Sequence, residues 1–125
     1  HFKAINDTHG HLVGDAVLRE FAERLRRAVR GIDLACRFGG EEFVVAMPET
    51  DVSLAVLVGE RIRERIWAEA FAIGAGLAPI GVTVSIGIST LGSPTDTVHS
   101  LLQRGDEALY RAKHTGRNRV VSAAA

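Results

Sequence analysis

Gly39-Gly40 divides two short apolar runs, residues 33–38 (DLACRF) and 41–47 (EEFVVAM). A Gly-Gly pair in that position is what a two-residue hairpin with positive φ angles prefers, so the middle of the chain is predicted to fold back as two strands. That hairpin constrains everything around it. The flanking segments carry apolar residues at helical spacing: Leu18, Phe21, Leu25 and Ala28 before it, Leu54, Val58, Ile62 and Ile66 after it. Helix, hairpin, helix in that order reads as an α+β chain whose helices cover one face of a mainly antiparallel sheet.

The remaining segments extend the same scheme. Residues 1–14 (HFKAINDTHGHLVG) are polar and punctuated by glycine, and read as a loop into a helix that Asp15 can cap. Pro48 ends the second strand, and Asp51 or Ser53 can start the next helix. A short strand is predicted near residues 71–73. Val82, Val84, Ile86 and Ile88 then form one face of another strand, opposite Thr83, Ser85 and Gly87. A last helix over residues 98–113 turns Leu101, Leu102, Ala108, Leu109 and Ala112 inward. Gly116 stops it, and residues 119–121 close the chain as a strand.

A chain of 125 residues suits one compact domain. Residues 70–95 carry no charge, but Gly74, Gly76, Pro79, Gly81 and Gly87 interrupt them, so the stretch reads as strands and turns and not as a membrane span. Fifteen basic and fifteen acidic side chains cancel, leaving no global field to draw the chain to nucleic acid or an anionic membrane. The single cysteine, Cys36, excludes an internal disulfide. Among Leu34, Ala35 and Phe38 it reads as a small buried hydrophobe, compatible with a reducing cytoplasm.

The chemistry concentrates at the hairpin. Side chains alternate along a strand, so Glu41, Phe43 and Val45 are expected on one side and Glu42, Val44 and Ala46 on the other. The two acids are then not a matched pair. They are either a solvated hairpin tip or the start of a cation site, since Mg²⁺ takes one or two protein carboxylates and completes its shell with water and phosphate oxygens.

The pentapeptide GGEEF, residues 39–43, resembles the defining motif of the GGDEF family of diguanylate cyclases. The resemblance continues in family order through Phe2-Lys3-x-x-Asn6-Asp7-x-x-Gly10-His11-x-x-Gly14-Asp15, Val84-Ser85-Ile86-Gly87, and Asp106-x-x-Leu109-Tyr110-x-Ala112-Lys113-x-x-Gly116-Arg117-Asn118. Together these span essentially the whole chain. The resemblance implies a two-layer α/β sandwich of the palm, nucleotidyl cyclase-like kind, with an antiparallel-centred sheet flanked by helices. It also implies condensation of two GTP molecules into cyclic di-GMP with release of two pyrophosphates.

The resemblance assigns roles residue by residue. Glu41 resembles the acid that ligates Mg²⁺ (or Mn²⁺), and Glu42 the second acid, which helps to deprotonate or orient the attacking 3′-hydroxyl. Asn6 and Asp15 resemble the guanine readers, although a turn for Asn6 and a helix cap for Asp15 explain them equally. Phe2, Lys3, Gly39, Gly40, Lys113 and Arg117 resemble the phosphate-binding set. Lys113 and Arg117 also suit the negative end of a helix dipole without any ligand. His11 and His114 lack a partner at metal-ligand spacing and read as loop or cap residues. Arg30-x-x-Asp33, separated from Gly39 by five intervening residues, resembles the inhibitory site that binds the product, and Arg61 a secondary contact there; the alternative is an ordinary ion pair at a helix end.

Family members carry a first strand ending in a metal-ligating Asp before the Phe-Lys pair, and the chain starts at His1. It is therefore expected to be an N-terminally truncated GGDEF domain, residues 1–125, cytoplasmic and bacterial, poorly active by itself. A homodimer, each subunit holding one GTP, and an upstream sensory or receiver domain are the partners implied. Two other readings stay open: a catalytically silent receptor for cyclic di-GMP, and a relative that acts on another nucleotide.

Overall fold

The computed structural model describes residues 2–74 and 76–123. The element order is α1 (Phe2–His9), α2 (His11–Ala28), β1 (Leu34–Gly39), β2 (Glu42–Ala46), α3 (Val52–Ala68), β3 (Ile86–Ile88), α4 (Val98–His114) and β4 (Val120–Ser122). This is an α+β, palm-like set of elements. Two compact units result: one holds the chain up to Pro48 with Arg65–Val82, the other Glu49–Glu64 with the chain from Thr83.

In the first unit the expected loop before Asp15 is helical. Gly10 alone separates α1 from α2, with φ of 86°, a conformation that costs glycine little. Gly10 caps α2, so Asp15 lies inside the helix and is not its cap. Leu25 and Ala28 of the expected stripe are buried together with Val17, while Leu18 and Phe21 are half-buried. β1 and β2 pair antiparallel, with Ala35 opposite Val45 and Cys36 opposite Val44. The ring of Phe43 packs against Phe21 of α2 at 5.0 Å between centroids.

Three details of the hairpin correct the sequence reading. The register slips between Arg37 and Gly39, so that Gly39 pairs with Glu42 and the turn is Gly40-Glu41, not Gly39-Gly40. Neither Gly39 nor Gly40 takes a positive φ; the bulge at Phe38 supplies the bend that left-handed glycines would otherwise provide. Cys36 is exposed, because it points to the side of the hairpin away from Phe43.

Arg24 joins α2 to the segment after α3. Its guanidinium donates to the carbonyl oxygens of Ile66 (3.2 Å) and Ala70 (3.3 Å) and to that of Glu69, and to the Glu20 carboxylate at 2.9 Å. It also lies 3.9 Å from the centre of the Phe71 ring. The carbonyls at a helix end have no partner within the helix, and a cation there satisfies several at once. Phe71 is wholly buried, and pairs through a single antiparallel bridge with Ile80 in place of the expected short strand.

In the second unit Asp51 caps α3 as predicted, its carboxylate accepting from the Leu54 amide at 2.8 Å. Ala55, Val58 and Ile62 are buried, whereas Leu54 is exposed. β3 pairs with β4, and the pairing is parallel: Ile86 with Val120, Gly87 with Val121, Ile88 with Ser122. Only these three residues of the expected strand over 82–88 enter a ladder. Among the described residues there are thus two two-stranded sheets, one antiparallel and one parallel, in place of a single antiparallel-centred sheet.

Thr97 begins α4 with a reciprocal capping box to Ser100. Beside it, Asp96 accepts from both Arg104 nitrogens (2.7 and 2.9 Å), from the Gly92 amide (2.8 Å) and from the Ser100 hydroxyl (2.9 Å). The Arg104 guanidinium first, then Gly92 and Ser100, hold the Asp96 carboxyl well below the usual carboxylate range. A depressed carboxyl contributes stability above the unfolded-state value of about 3.9, and loses it as pH falls toward the folded value. Asp96→Asn is therefore expected to melt lower than the parent at neutral pH. The gap should close as the buffer is taken below about pH 3.9; a gap constant from pH 7 to pH 2 contradicts this.

Candidate functional site

The hairpin tip carries the two acids. Arg37 donates to the Gly40 carbonyl through Nε at 2.9 Å and also through Nη2. This clamp fixes the turn from its own strand. Glu41 sits in the turn itself, so strand alternation does not govern it, while Glu42 opens β2 on the Val44 side. Both carboxylates are exposed, and neither makes a hydrogen bond or ion pair with a described residue. Arg37 is a residue that sequence reasoning misses; an arginine three residues before a turn carbonyl is the available signal.

Among the described residues no group of three or more His, Cys, Asp or Glu side chains converges as a metal cage. That fits a cation held by one protein carboxylate, with water and phosphate oxygens as its other ligands. Glu41, exposed in the turn, is the candidate for that carboxylate. His11 and His114 likewise join no such group; the His114 ring hydrogen-bonds at the Tyr110 carbonyl (2.8 Å) and stacks on the Tyr110 ring at 3.7 Å.

Asn6 and Asp15 belong to the first unit with the hairpin. Asn6 is half-buried in α1, and its side-chain oxygen is fully covered with no hydrogen-bond partner. Such an orphan costs about 1–3 kcal/mol unless a donor arrives. Asp15 is exposed on α2 and its side chain makes no hydrogen bond with a described residue, and Gly10 takes the cap position in its place. Phe2 and Lys3 open α1 with their backbone; their side chains lie outside the described residues.

An open groove of about 840 Å³ runs along α2 and β1. Asp15, Arg19, Arg26, Arg30, Asp33, Arg37 and Phe43 are among its lining residues. Arg30 and Asp33 form a two-pronged pair: Nε to Oδ2 at 3.0 Å and Nη2 to Oδ1 at 2.8 Å, with the Arg30 amide also donating to Oδ2 at 2.9 Å. The Asp33 carboxylate is fully covered, while Arg30 keeps 27% of its side chain exposed. Only the arginine half of this pair therefore faces an incoming ligand.

Lys113, Arg117 and Arg61 belong to the second unit. Lys113 is half-buried in the last turn of α4, and Arg117 is exposed just beyond it with φ of 57°. Arg61 is exposed on α3. No helix among the described residues is long and apolar enough to cross a membrane.

Residues 1–119 match the family described as "Diguanylate cyclase, GGDEF domain". The chain is 52% identical over 124 residues to the response regulator PleD of Caulobacter vibrioides, covering 99% of this chain and 27% of that protein. It is 44% identical over 119 residues to diguanylate cyclase A of Treponema denticola, covering 95% of this chain and 32% of that protein. It thus spans a third or less of the length of these relatives. Among solved structures, the GGDEF domain of DgcB from Caulobacter crescentus, in complex with c-di-GMP, superposes with a TM-score of 0.91 at 36% identity, over 98% of this chain and 71% of that one. A match of this extent, with GGEEF at the tip of a clamped hairpin, makes this chain a member of the diguanylate cyclase GGDEF domain family.

Proposed function

We propose that this chain is the catalytic domain of a diguanylate cyclase that joins two GTP molecules into cyclic di-GMP. The observation that carries the reading is the pair of exposed, unpartnered carboxylates at a turn clamped by Arg37. In each half-reaction the 3′-oxygen of one GTP forms a bond to the α-phosphorus of the other. The bond from that phosphorus to the pyrophosphate oxygen breaks, and the 3′-hydroxyl proton leaves. Two such steps close the ring and release two pyrophosphates. Bound Mg²⁺ or Mn²⁺ supplies charge neutralisation at the phosphates.

Within this scheme Glu41 holds the divalent cation and Glu42 orients or deprotonates the 3′-hydroxyl. Asn6 and Asp15 read the guanine, the exposed Asp15 carboxylate accepting from N1–H and N2–H₂, donors that adenine lacks. The backbone at Phe2, Gly39 and Gly40, with Lys3, Lys113 and Arg117, receives the phosphates. Each subunit presents one GTP, so the acting unit is a homodimer of facing GGEEF edges, brought together by a further sensory or receiver domain. Product binding at Arg30, whose guanidinium the covered Asp33 carboxylate holds in place, inhibits the reaction, with Arg61 as a secondary contact.

A single protein carboxylate is a weak hold on a divalent cation, so the isolated chain is expected to bind GTP with Mg²⁺ yet turn it over slowly. Incubation with GTP and Mg²⁺, followed by chromatography for cyclic di-GMP, checks both halves. Brisk synthesis contradicts the slow turnover; absence of both binding and product contradicts the cyclase reading. A receptor reading is favoured by the Arg30–Asp33 pair on an open groove. Calorimetry with cyclic di-GMP on the parent chain and on Arg30→Ala separates the two: binding without any turnover supports the receptor.

A further inference from the structure

Three consecutive residues after α4 lie in the left-handed region: Gly116 at φ 128°, Arg117 at 57° and Asn118 at 47°. Glycine accepts this freely and asparagine tolerates it, but arginine does so only where its surroundings hold it. The start of the segment is fixed by the helix end. The Arg117 amide donates to the Ala112 carbonyl at 2.9 Å, the long bond of a Schellman motif with Gly116 in its left-handed position. The far end is fixed by the ladder, where the Ile86 amide donates to the Arg119 carbonyl at 3.0 Å.

Between these anchors, the Asn118 side chain is held from α3. Arg63 Nη1 donates to Asn118 Oδ1 at 3.2 Å. The same guanidinium is oriented by Glu60, whose Oε2 accepts from Nε at 2.9 Å and lies 2.7 Å from Nη2. Arg63 is only 22% exposed, so its direction is set by packing as well as by Glu60. Glu60, Arg63 and the turn all belong to the second unit.

We propose that Arg63 is a positioning residue for the phosphate contact made by Arg117. It grips the neighbouring Asn118 amide, and so locks the left-handed turn that aims the Arg117 side chain. Glu60 is the brace of this device. The inference rests on the phosphate role of Arg117 proposed above, and adds a residue on another helix that touches no ligand itself.

The test uses this chain with one nucleotide, one nucleoside and one structural readout. GTP with Mg²⁺ probes the phosphate contact, guanosine probes the base site alone, and NMR hydrogen exchange at the Arg117 amide reports the turn. Arg63→Ala is expected to weaken GTP binding roughly tenfold, to leave guanosine binding unchanged and to speed exchange at Arg117. Asn118→Ala should do the same, and the double variant should be no worse than either single one. Asn118→Asp, which keeps the acceptor, should behave like the parent. If Arg63→Ala does not fold, Arg63→Lys, which cannot fork between Glu60 and Asn118, is measured in its place. Unchanged exchange, equal loss of GTP and guanosine, or additive losses in the double variant overturn the proposal. A parent chain that binds no GTP overturns the nucleotide reading itself, and is recognised before any variant is made.

Discussion

Gly87→Ala is expected to destabilise the chain by about 3 kcal/mol or more, and to lower its melting point by about 10 °C. The cause is the closeness of β3 to α4. A Cβ on Gly87 would meet the Gly105 carbonyl oxygen and the Leu109 amide nitrogen far inside van der Waals contact, and the Leu109 Cα at 2.9 Å. These are backbone atoms, so no side chain can swing aside; strand and helix must separate. Gly105→Ala is the contrasting control, because its nearest neighbour is the Ser89 hydroxyl at 3.3 Å. Its smaller loss would come from helix crowding and the Ser89–Leu101 bond (2.6 Å). Equal melting points for the two variants would falsify this account, which also explains why the Val84-Ser85-Ile86-Gly87 motif ends on glycine.

Glu41→Gln is expected to cut Mg²⁺-dependent cyclic di-GMP formation by at least about a hundredfold. Glutamine keeps the size and one acceptor but removes the charge. With Glu41 proposed as the cation's one protein ligand, loss of its charge removes the protein's share of the hold on Mg²⁺. The Mg²⁺-dependent part of GTP affinity should fall with it. Glu42→Gln, altering the acid on the strand and not in the turn, should keep most of that affinity while losing turnover. Calorimetry with and without Mg²⁺, beside product formation by chromatography, separates the two acids. Identical profiles would return them to the matched pair that their adjacency first suggests.

Much of this is legible in the sequence because its causes are local. The strands flanking Gly39-Gly40, the apolar stripes of α2, α3 and α4, the Asp51 cap and the stop at Gly116 all follow from patterns within a few residues. What the sequence hides depends on distant partners or on geometry smaller than a residue. The helix over residues 2–9 reads as loop because Gly10 and polar side chains mimic one, and only the α2 packing beside it decides. The turn sits one residue later than the glycines suggest, at Gly40-Glu41, because a bulge at Phe38 does not announce itself in composition. β3 keeps three ladder residues because its partner, β4, is equally short and runs parallel.

The candidate site divides along the same line. Residue types and order single out Glu41, Glu42, Asn6 and Asp15 as candidates, since charge and hydrogen-bonding capacity belong to the side chain itself. Arg37 and Arg63 stay hidden because their importance lies in which carbonyl or amide they reach. Asp33 shows the converse: its carboxylate is evident in the sequence, but its complete burial under Arg30 is a property of the fold.

The clamp made by Arg24 has a consequence for ionic strength. Exposed pairs such as Arg26 with Glu23 weaken as salt rises. Arg24, besides its ion pair with Glu20, binds the neutral carbonyls of Ile66, Glu69 and Ala70, and covers the face of Phe71. A cation held by dipoles and a ring, with only 10% of its side chain in water, is shielded far less. The join between α2 and the end of α3 should therefore hold its geometry across salt concentrations that would loosen the surface ion pairs around it.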